Sequence, residues 1–124
     1  MTKRILVVED TEDNRQIIRD LLTSAGYELI EAVDGIEGVA AAEREKPDLI
    51  LMDIQLPGID GYQVARQVRS RVGDNIVLVA VSGFGQPEDK RKALEAGFDD
   101  HVTKPADVGD IESILARFPP RVSV

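Results

Sequence analysis

The 124-residue sequence contains no cysteine and no tryptophan. Without cysteine there is no disulfide, no zinc–thiolate site and no cysteine nucleophile, a composition compatible with a reducing cytoplasm. Without tryptophan, an aromatic stacking surface for single-stranded nucleic acid is not expected. Any chemistry must therefore come from carboxylates, hydroxyls, amines or the single histidine.

Extended basic runs and long apolar runs are missing as well. The formal net charge of −8 disfavours sequence-independent binding to nucleic acid or to an anionic membrane, because both need a basic surface. The apolar run near the amino terminus has four residues, too short for a signal-peptide core, and nothing approaches a membrane span. We expect a cytoplasmic location and no direct nucleic-acid or membrane partner.

Apolar runs alternate with amphipathic segments five times along the chain. The pattern predicts strands at 5–8, 28–32, 48–52, 75–81 and 100–103, and helices at 11–25, 35–46, 62–71, 87–96 and 107–118. Such alternation indicates an α/β fold, a doubly wound (βα)5 arrangement with a five-stranded parallel sheet and helices on both faces. Residues 1–124 would then form one domain, with a core at about 3–118 and no output domain.

The first predicted helix has a strong amphipathic pattern. Thr11 stands at its start and is expected to cap it. We predict that its apolar residues form one core-facing stripe: Ile17, Ile18, Leu21, Leu22 and Ala25.

Polar residues stand where four of the predicted strands end. Glu9 and Asp10 follow the first strand, Asp53 the third, Ser82 the fourth, and Lys104 comes just past the fifth. In open α/β sheets, ligand-binding and catalytic residues lie at the carboxyl ends of the strands. Three carboxylates a few ångströms apart cannot all stay ionised unless a cation joins them or a pKa rises sharply. The sequence therefore predicts a hard divalent metal beside a carboxylate that could be modified.

Taken singly, each of these residues has an ordinary explanation. Asp53 could belong to a loop, and Glu9 with Asp10 could be an acidic pair at a helix start. Ser82 could be a turn residue and Lys104 a surface residue. Their joint occurrence at one edge of a sheet favours a small phosphoryl-handling site.

Four stretches of the sequence carry a family resemblance: residues 5–10 (ILVVED), 51–61 (LMDIQLPGIDG), 81–83 (VSG) and 96–105 (AGFDDHVTKP). In this order and spacing, they resemble the CheY-like receiver domain of two-component response regulators, over essentially residues 3–118. The resemblance implies a phosphoacceptor protein with Mg²⁺ as cofactor, phosphorylated by a histidine kinase or a histidine phosphotransfer protein and acting on a downstream protein target. It implies self-phosphorylation and self-dephosphorylation only, not turnover of an external substrate.

The resemblance also implies a role for each site residue. Asp53 would be the phosphoacceptor, Lys104 would pair with one phosphoryl oxygen, and Ser82 would hydrogen-bond another. Glu9 departs mildly from the aspartate that is frequent at its position and would act through water. The implied oxygen ligands of Mg²⁺ are Glu9, Asp10, Asp53 and the backbone carbonyl of Gln55.

The implied switch involves Ser82, His101 and Phe84. In the family, an aromatic residue on the fifth strand moves with the hydroxyl residue, and His101 stands where tyrosine or phenylalanine is usual, which leaves that movement open. Gln55 and Phe84 occupy positions that tune the lifetime of the acyl phosphate in opposite senses, so no lifetime is predicted. A cis peptide between Lys104 and Pro105 is a further implication.

Alternative functions stay open at this point. A phosphorelay intermediate is one alternative. The stretch 83–100 resembles receivers attached to hybrid kinases, so the receiver domain of a hybrid kinase is a second, although Met1 close to the first strand favours a natural start. A Mg²⁺-dependent small-molecule phosphatase is a third, and a phosphorylation-independent adaptor is a fourth. Asn14, Arg15 and Arg19 could dock the kinase, or could be ordinary exposed polar residues.

Overall fold

The computed structural model describes residues 3–54, 60–73, 76–83, 87–103 and 108–117. Five strands alternate with five helices, which confirms the predicted element order. The bounds are β1 (Arg4–Val8), α1 (Glu12–Ser24), β2 (Glu28–Ala32), α2 (Gly35–Glu45), β3 (Leu49–Asp53), α3 (Gly61–Val72), β4 (Val77–Ser82), α4 (Pro87–Ala96), β5 (Asp100–Thr103) and α5 (Val108–Arg117). Most ends lie within a residue of the predicted ones; β4 begins two residues later.

All five strands run parallel in one sheet, in the order β2-β1-β3-β4-β5. The order reverses between β1 and β3, the place where open α/β sheets leave a crevice at the carboxyl ends of the strands. Val8 pairs with Met52, and Asp53 pairs with Val81. The ends of β1, β3 and β4 are therefore level, and the residues that follow them lie side by side.

The sheet separates two apolar clusters. One face carries Leu6, Ile50 and Leu78 and is covered by buried residues of α2, α3 and α4. The other face carries Ile5 and Leu51 and is covered by α1 and α5. Every residue of β3 and β4 is buried. Because these central strands are covered on both faces, their sequences are continuous apolar runs rather than alternating ones.

The prediction for α1 was partly wrong. Leu22 is buried and Ile18 is half-buried, whereas Ile17 is 57% exposed and Leu21 38% exposed, and Ala25 is exposed too. Ile17 and Leu21 each precede a core-facing residue and point about 100° away from it around the helix axis, so they leave the sheet. Thr11 is the N-cap residue by backbone geometry, but its side chain makes no capping hydrogen bond.

The outer strand β2 borders only β1, and its two glutamates are paired with guanidinium groups. Arg4 Nε lies 3.9 Å from a carboxylate oxygen of Glu28, and Arg19 Nη2 lies 2.7 Å from Glu31. Among the described residues, no helix combines the length and apolar character needed to cross a membrane.

An arginine closes the amino end of the sheet beside β4 and β5. Arg69 Nε donates to the carbonyl of Gly97 at 2.8 Å, and its Nη1 donates to the carbonyl of Ile76 at 2.7 Å. Its Nη2 donates to Asp99 at 2.7 Å, and the same carboxylate oxygen accepts the backbone N–H of Leu78 at 2.9 Å. One side chain on α3 thus ties together the segments that lead into two strands.

Candidate functional site

Three carboxylates meet at the carboxyl ends of β1 and β3. Glu9, Asp10 and Asp53 each offer an oxygen, and these oxygens lie within 4.8 Å of one another. Glu9 is 2% exposed and Asp53 4% exposed, while Asp10 is exposed. The convergence expected from the strand ends is confirmed. Two of the three charges are largely withdrawn from water, a situation that favours a bound cation.

The loop between β1 and α1 fixes Glu9 in place. Its backbone N–H donates to the carbonyl of Ala32 at 3.1 Å, and its carbonyl accepts from Arg15 Nη1 at 2.8 Å. Its Oε1 accepts the backbone N–H of Thr11 at 3.3 Å and the side-chain amide of Asn14 at 3.2 Å. The backbone of Thr11 and the amide of Asn14 thus help to orient the carboxylate of Glu9, whose side chain is one methylene longer than that of aspartate.

Ion pairs join this loop to the outer strand. Arg15 contacts Glu12 on its own helix, and its Nε lies 3.7 Å from Glu31 on β2. Arg19 binds Glu31 through two nitrogens, at 2.9 and 2.7 Å. The hydrogen bond that Arg19 donates to Glu31 raises the pKa of Arg19 above its usual range, and the hydrogen bond that Arg15 donates to Glu12 lowers the pKa of Glu12. The basic residues considered for kinase docking thus have partners within the chain.

A hydrogen bond links β4 to β5 at the same edge. Ser82 Oγ and His101 Nε2 lie 2.7 Å apart. Ala80 pairs with His101, and Ser82 is two residues further along β4, so both side chains are on the face covered by α4. Ser82 is 1% exposed and His101 is half-buried. Sequence alone did not reveal this pair, because finding it requires the strand register.

The remaining residues proposed from the sequence lie outside the described residues. These are Gln55, Phe84 and Lys104, together with the peptide between Lys104 and Pro105. Their roles stay predictions.

The observed donor set suits a hard divalent cation. All three converging groups are carboxylates, and oxygen ligands are those that Mg²⁺ prefers. Mg²⁺ usually keeps several waters and is bound by one or two carboxylates plus phosphate oxygens, so a site that is half open through Asp10 has a suitable form. Soft or strongly tetrahedral metals would instead call for thiolates or imidazoles, and none belongs to this cluster.

A close contact places the start of α3 against the end of β3. A Cβ added at Gly61 would lie 2.6 Å from the Cα of Ile54, so only glycine fits this approach. Asp60 caps the helix by accepting the backbone N–H of Tyr62 at 2.9 Å. The residue after Asp53 is thereby held at a fixed place.

The comparison with family models agrees with this geometry. The model of the response regulator receiver domain matches residues 5–116. The chain belongs to the response regulator receiver domain family. Its fold and its membership in two-component signalling follow from that match and from the sheet order.

Two curated relatives illustrate the range of chains in which receivers occur. The DNA-binding dual master transcriptional regulator RpaA of Synechocystis is 40% identical over 116 residues, which cover 92% of this chain but 46% of RpaA. The chain thus spans about half the length of that relative. The polar-differentiation response regulator DivK of Brucella ovis is 37% identical over 109 residues, which cover 87% of this chain and 89% of DivK.

Two solved receivers resemble the structure closely. The receiver domain of the Pseudomonas aeruginosa sensor histidine kinase PA1611, with a magnesium ion coordinated in its active-site cleft, has a TM-score of 0.84 and 36% identity, covering 94% of this chain and 97% of that one. The receiver domain of Saccharomyces cerevisiae Ssk1, solved with the histidine phosphotransfer protein Ypd1, has a TM-score of 0.83 and 29% identity. The match covers 92% of this chain and 87% of that one.

Proposed function

We propose that this receiver accepts a phosphoryl group on Asp53 from a histidine kinase or a histidine phosphotransfer protein, with Mg²⁺ bound beside it. The observation that carries the proposal is the meeting of Glu9, Asp10 and Asp53 within 4.8 Å at the point where the strand order reverses. The magnesium ion in the cleft of the PA1611 receiver supports the choice of metal, and the Ssk1 complex supports the class of donor.

The chemical step is a displacement at phosphorus. A carboxylate oxygen of Asp53 attacks the phosphorus of a phosphohistidine, an O–P bond forms, and the N–P bond breaks with its electron pair going to the imidazole nitrogen. The product is an acyl phosphate on Asp53. Mg²⁺ held by the three carboxylates would offset the negative charge of the transferring group, and most of the catalysis of phosphoryl transfer lies in such charge stabilisation.

The chain's own residues hold and read the phosphoryl group. Glu9, Asp10 and Asp53 would supply carboxylate oxygens for the metal. The roles of Gln55, which would add its backbone carbonyl, and of Lys104, which would pair with one phosphoryl oxygen, are those that the family resemblance implies. Ser82 would donate its hydroxyl hydrogen to another phosphoryl oxygen.

The output is a change of protein surface rather than turnover of a substrate. Phosphorylation adds about 1.5 to 2 negative charges at neutral pH. The site is connected to β5 by the Ser82–His101 hydrogen bond, and β5 packs beside α4. A downstream protein would read the rearranged surface formed by α4, β5 and α5.

One alternative has direct support. The PA1611 receiver, which is part of a sensor histidine kinase, is 36% identical to this chain. A phosphorelay receiver passes its phosphoryl group onward, so transfer from phosphorylated Asp53 back to a phosphotransfer histidine would identify a relay. Stable phosphorylation with no transfer would identify a terminal switch.

The test of the main proposal is incubation of the purified chain with a small phosphodonor and Mg²⁺, followed by intact mass spectrometry. We expect a gain of one phosphoryl group that is absent in Asp53→Asn and absent when the metal is chelated. Asp13→Asn, which removes an exposed carboxylate from the first turn of α1, is the matched control and should be phosphorylated normally. Equal labelling of Asp53→Asn would refute the assignment.

A further inference from the structure

Arg15 contacts the main chain between two of the proposed metal ligands. Its Nη1 donates to the carbonyl oxygen of Glu9 at 2.8 Å. That oxygen belongs to the peptide group that joins Glu9 to Asp10. Because a peptide group is planar, a hydrogen bond to its oxygen restrains the orientation of the whole group. The donor is charged, and hydrogen bonds with a charged donor are stronger than neutral ones.

The placement of Asp10 depends on this restraint more than that of Glu9 does. The backbone N–H of Glu9 donates to the carbonyl of Ala32 at 3.1 Å, and its side chain accepts hydrogen bonds from the loop and from α1. Asp10 is exposed, so the direction of its backbone is what places its carboxylate. Rotation of the peptide between Glu9 and Asp10 would turn that carboxylate away from Asp53.

Arg15 is itself held from several sides. Its side chain is 11% exposed, and its backbone N–H donates to the carbonyl of Thr11 at 3.0 Å. Its Nη2 contacts Glu12, and its Nε lies 3.7 Å from Glu31 on β2. A planar guanidinium serves a carbonyl and two carboxylates through different nitrogens, which the single nitrogen of a lysine cannot match. The outer strand and α1 therefore fix the donor that restrains the peptide.

We propose that Arg15 is a positioning residue for the metal site. By holding the peptide between Glu9 and Asp10, it keeps the carboxylate of Asp10 directed at Mg²⁺ without being a ligand itself. The inference rests on the proposed function, in which Glu9, Asp10 and Asp53 bind the metal. It gives Arg15 a task within the chain, in place of the contact with a kinase considered from the sequence.

The sign of the change in Mg²⁺ affinity separates positioning from a simple effect of charge. A guanidinium near a cation site repels the cation, so loss of its charge should by itself strengthen Mg²⁺ binding. Loss of a partner that orients a ligand weakens metal binding, by roughly 10–100-fold. Glu12 and Glu31 already offset the charge of Arg15, so the repulsion is the smaller effect. We expect Arg15→Met to lower the affinity for Mg²⁺ about tenfold.

Calorimetric titration of the full chain with Mg²⁺ measures this affinity. Arg91→Met is the matched control, because Arg91 also pairs with a carboxylate on its own helix, Glu95 at 3.0 Å, and lies on α4. It removes the same charge and should keep the affinity of the unmodified protein. An affinity of Arg15→Met equal to or above that of the unmodified protein would overturn the inference, as would equal falls in both variants.

Arg15→Lys keeps the charge and provides the test if Arg15→Met does not fold, which circular dichroism in EDTA shows. An ammonium cannot replace the guanidinium at three partners, so we expect a lower affinity for Mg²⁺ than in the unmodified protein. An unchanged affinity in this variant would show that the charge alone matters, and the inference would be wrong.

Phosphorylation by a small phosphodonor distinguishes positioning of the metal from docking of a kinase, because no kinase is present. In Arg15→Met, the Mg²⁺ concentration that gives half of the maximal rate should rise about tenfold, while the rate at saturating Mg²⁺ should change much less. A lower maximal rate at an unchanged half-saturating Mg²⁺ concentration would overturn the inference.

Two further titrations separate this inference from the proposed function. If the unmodified protein binds Mg²⁺ and Asp10→Asn weakens that binding, the proposed site is occupied, and the Arg15 variants then decide the inference alone. Binding that Asp10→Asn leaves unchanged would place the metal elsewhere and overturn the inference. If the unmodified protein binds no Mg²⁺, the proposed function is refuted and the inference falls with it.

Discussion

The two ends of the sheet treat charge in opposite ways. At the carboxyl end, Glu9, Asp10 and Asp53 turn their oxygens toward one another within 4.8 Å. At the amino end, Arg69 bonds Asp99, and Arg4 bonds Glu45 at 2.6 Å. At the carboxyl end, where phosphoryl transfer is proposed, charges of the same sign lie close together. At the amino end, charges of opposite sign form ion pairs that stabilise the fold. The amino end thus supplies stability that the carboxyl end gives up.

The largest expected effect is at the amino end. Arg69→Ala removes hydrogen bonds to three backbone carbonyls and the ion pair with Asp99, and we expect it to lower the free energy of unfolding by about 2–3 kcal/mol. Urea denaturation followed by circular dichroism measures it. Arg71→Ala, on the same helix with a 58% exposed side chain, should cost less than about 0.5 kcal/mol. If both variants lost the same free energy of unfolding, Arg69 would contribute no more to stability than the surface ion pair of Arg71.

At the carboxyl end of the sheet, removing a charged side chain should raise the free energy of unfolding rather than lower it. Asp10→Asn removes one of three neighbouring charges, so in EDTA we expect it to raise the free energy of unfolding by about 1 kcal/mol. In excess Mg²⁺ the advantage should vanish or reverse, because a ligand that binds the folded state stabilises it. Thermal melts in both buffers measure this. A variant that is destabilised in EDTA as well would contradict the account of this end.

A smaller effect is expected from the residue that orients Glu9. Asn14→Ala removes the amide that donates to Oε1 at 3.2 Å, and we expect the affinity for Mg²⁺ to fall about tenfold, as is typical when a partner behind a ligand is lost. Calorimetric titration with Mg²⁺ measures it. Gln16→Ala, exposed on the same turn, should leave the affinity unchanged. If both variants bind alike, Asn14 does not support the site.

The smallest expected effect is the pH dependence of the contribution that Glu45 makes to stability. Hydrogen bonds from Arg44 and then Arg4 lower the pKa of Glu45 below its ordinary 4.5. Because the folded pKa is the lower one, the contribution to stability is present above about 4.5 and is lost as the pH falls through the folded pKa. Glu45→Gln should therefore lower the melting temperature slightly at pH 7 and less at pH 3. A difference that grows on acidification would have the wrong sign.

Sequence and structure agree most closely where the signal is local. Strand ends follow from apolar runs, so the meeting of Glu9, Asp10 and Asp53 was predictable once a parallel sheet was inferred. The face of α1 was misjudged at Ile17 and Leu21, because an apolar residue one step from a core position still fits a helical pattern.

Other features depend on partners that a sequence does not display. Three of the groups that Arg69 bonds are backbone carbonyls, which every residue has, and Asp99 is 30 residues away. The Ser82–His101 pair depends on the register of two strands. Asn14 was considered only as a kinase-docking or an ordinary exposed polar residue, so its hydrogen bond to Glu9 was not predicted.

The position of β2 at the edge of the sheet bears on whether the protein can pair with strands of other molecules. Its free edge is a row of backbone groups that could template a strand from another molecule and start polymerisation. Glu28 and Glu31 are three residues apart, so their carboxylates project from opposite faces of the strand. A strand from a second molecule that added at this edge would meet charged glutamate and arginine side chains on both faces of β2. Charged side chains on an edge strand disfavour such edge-to-edge pairing.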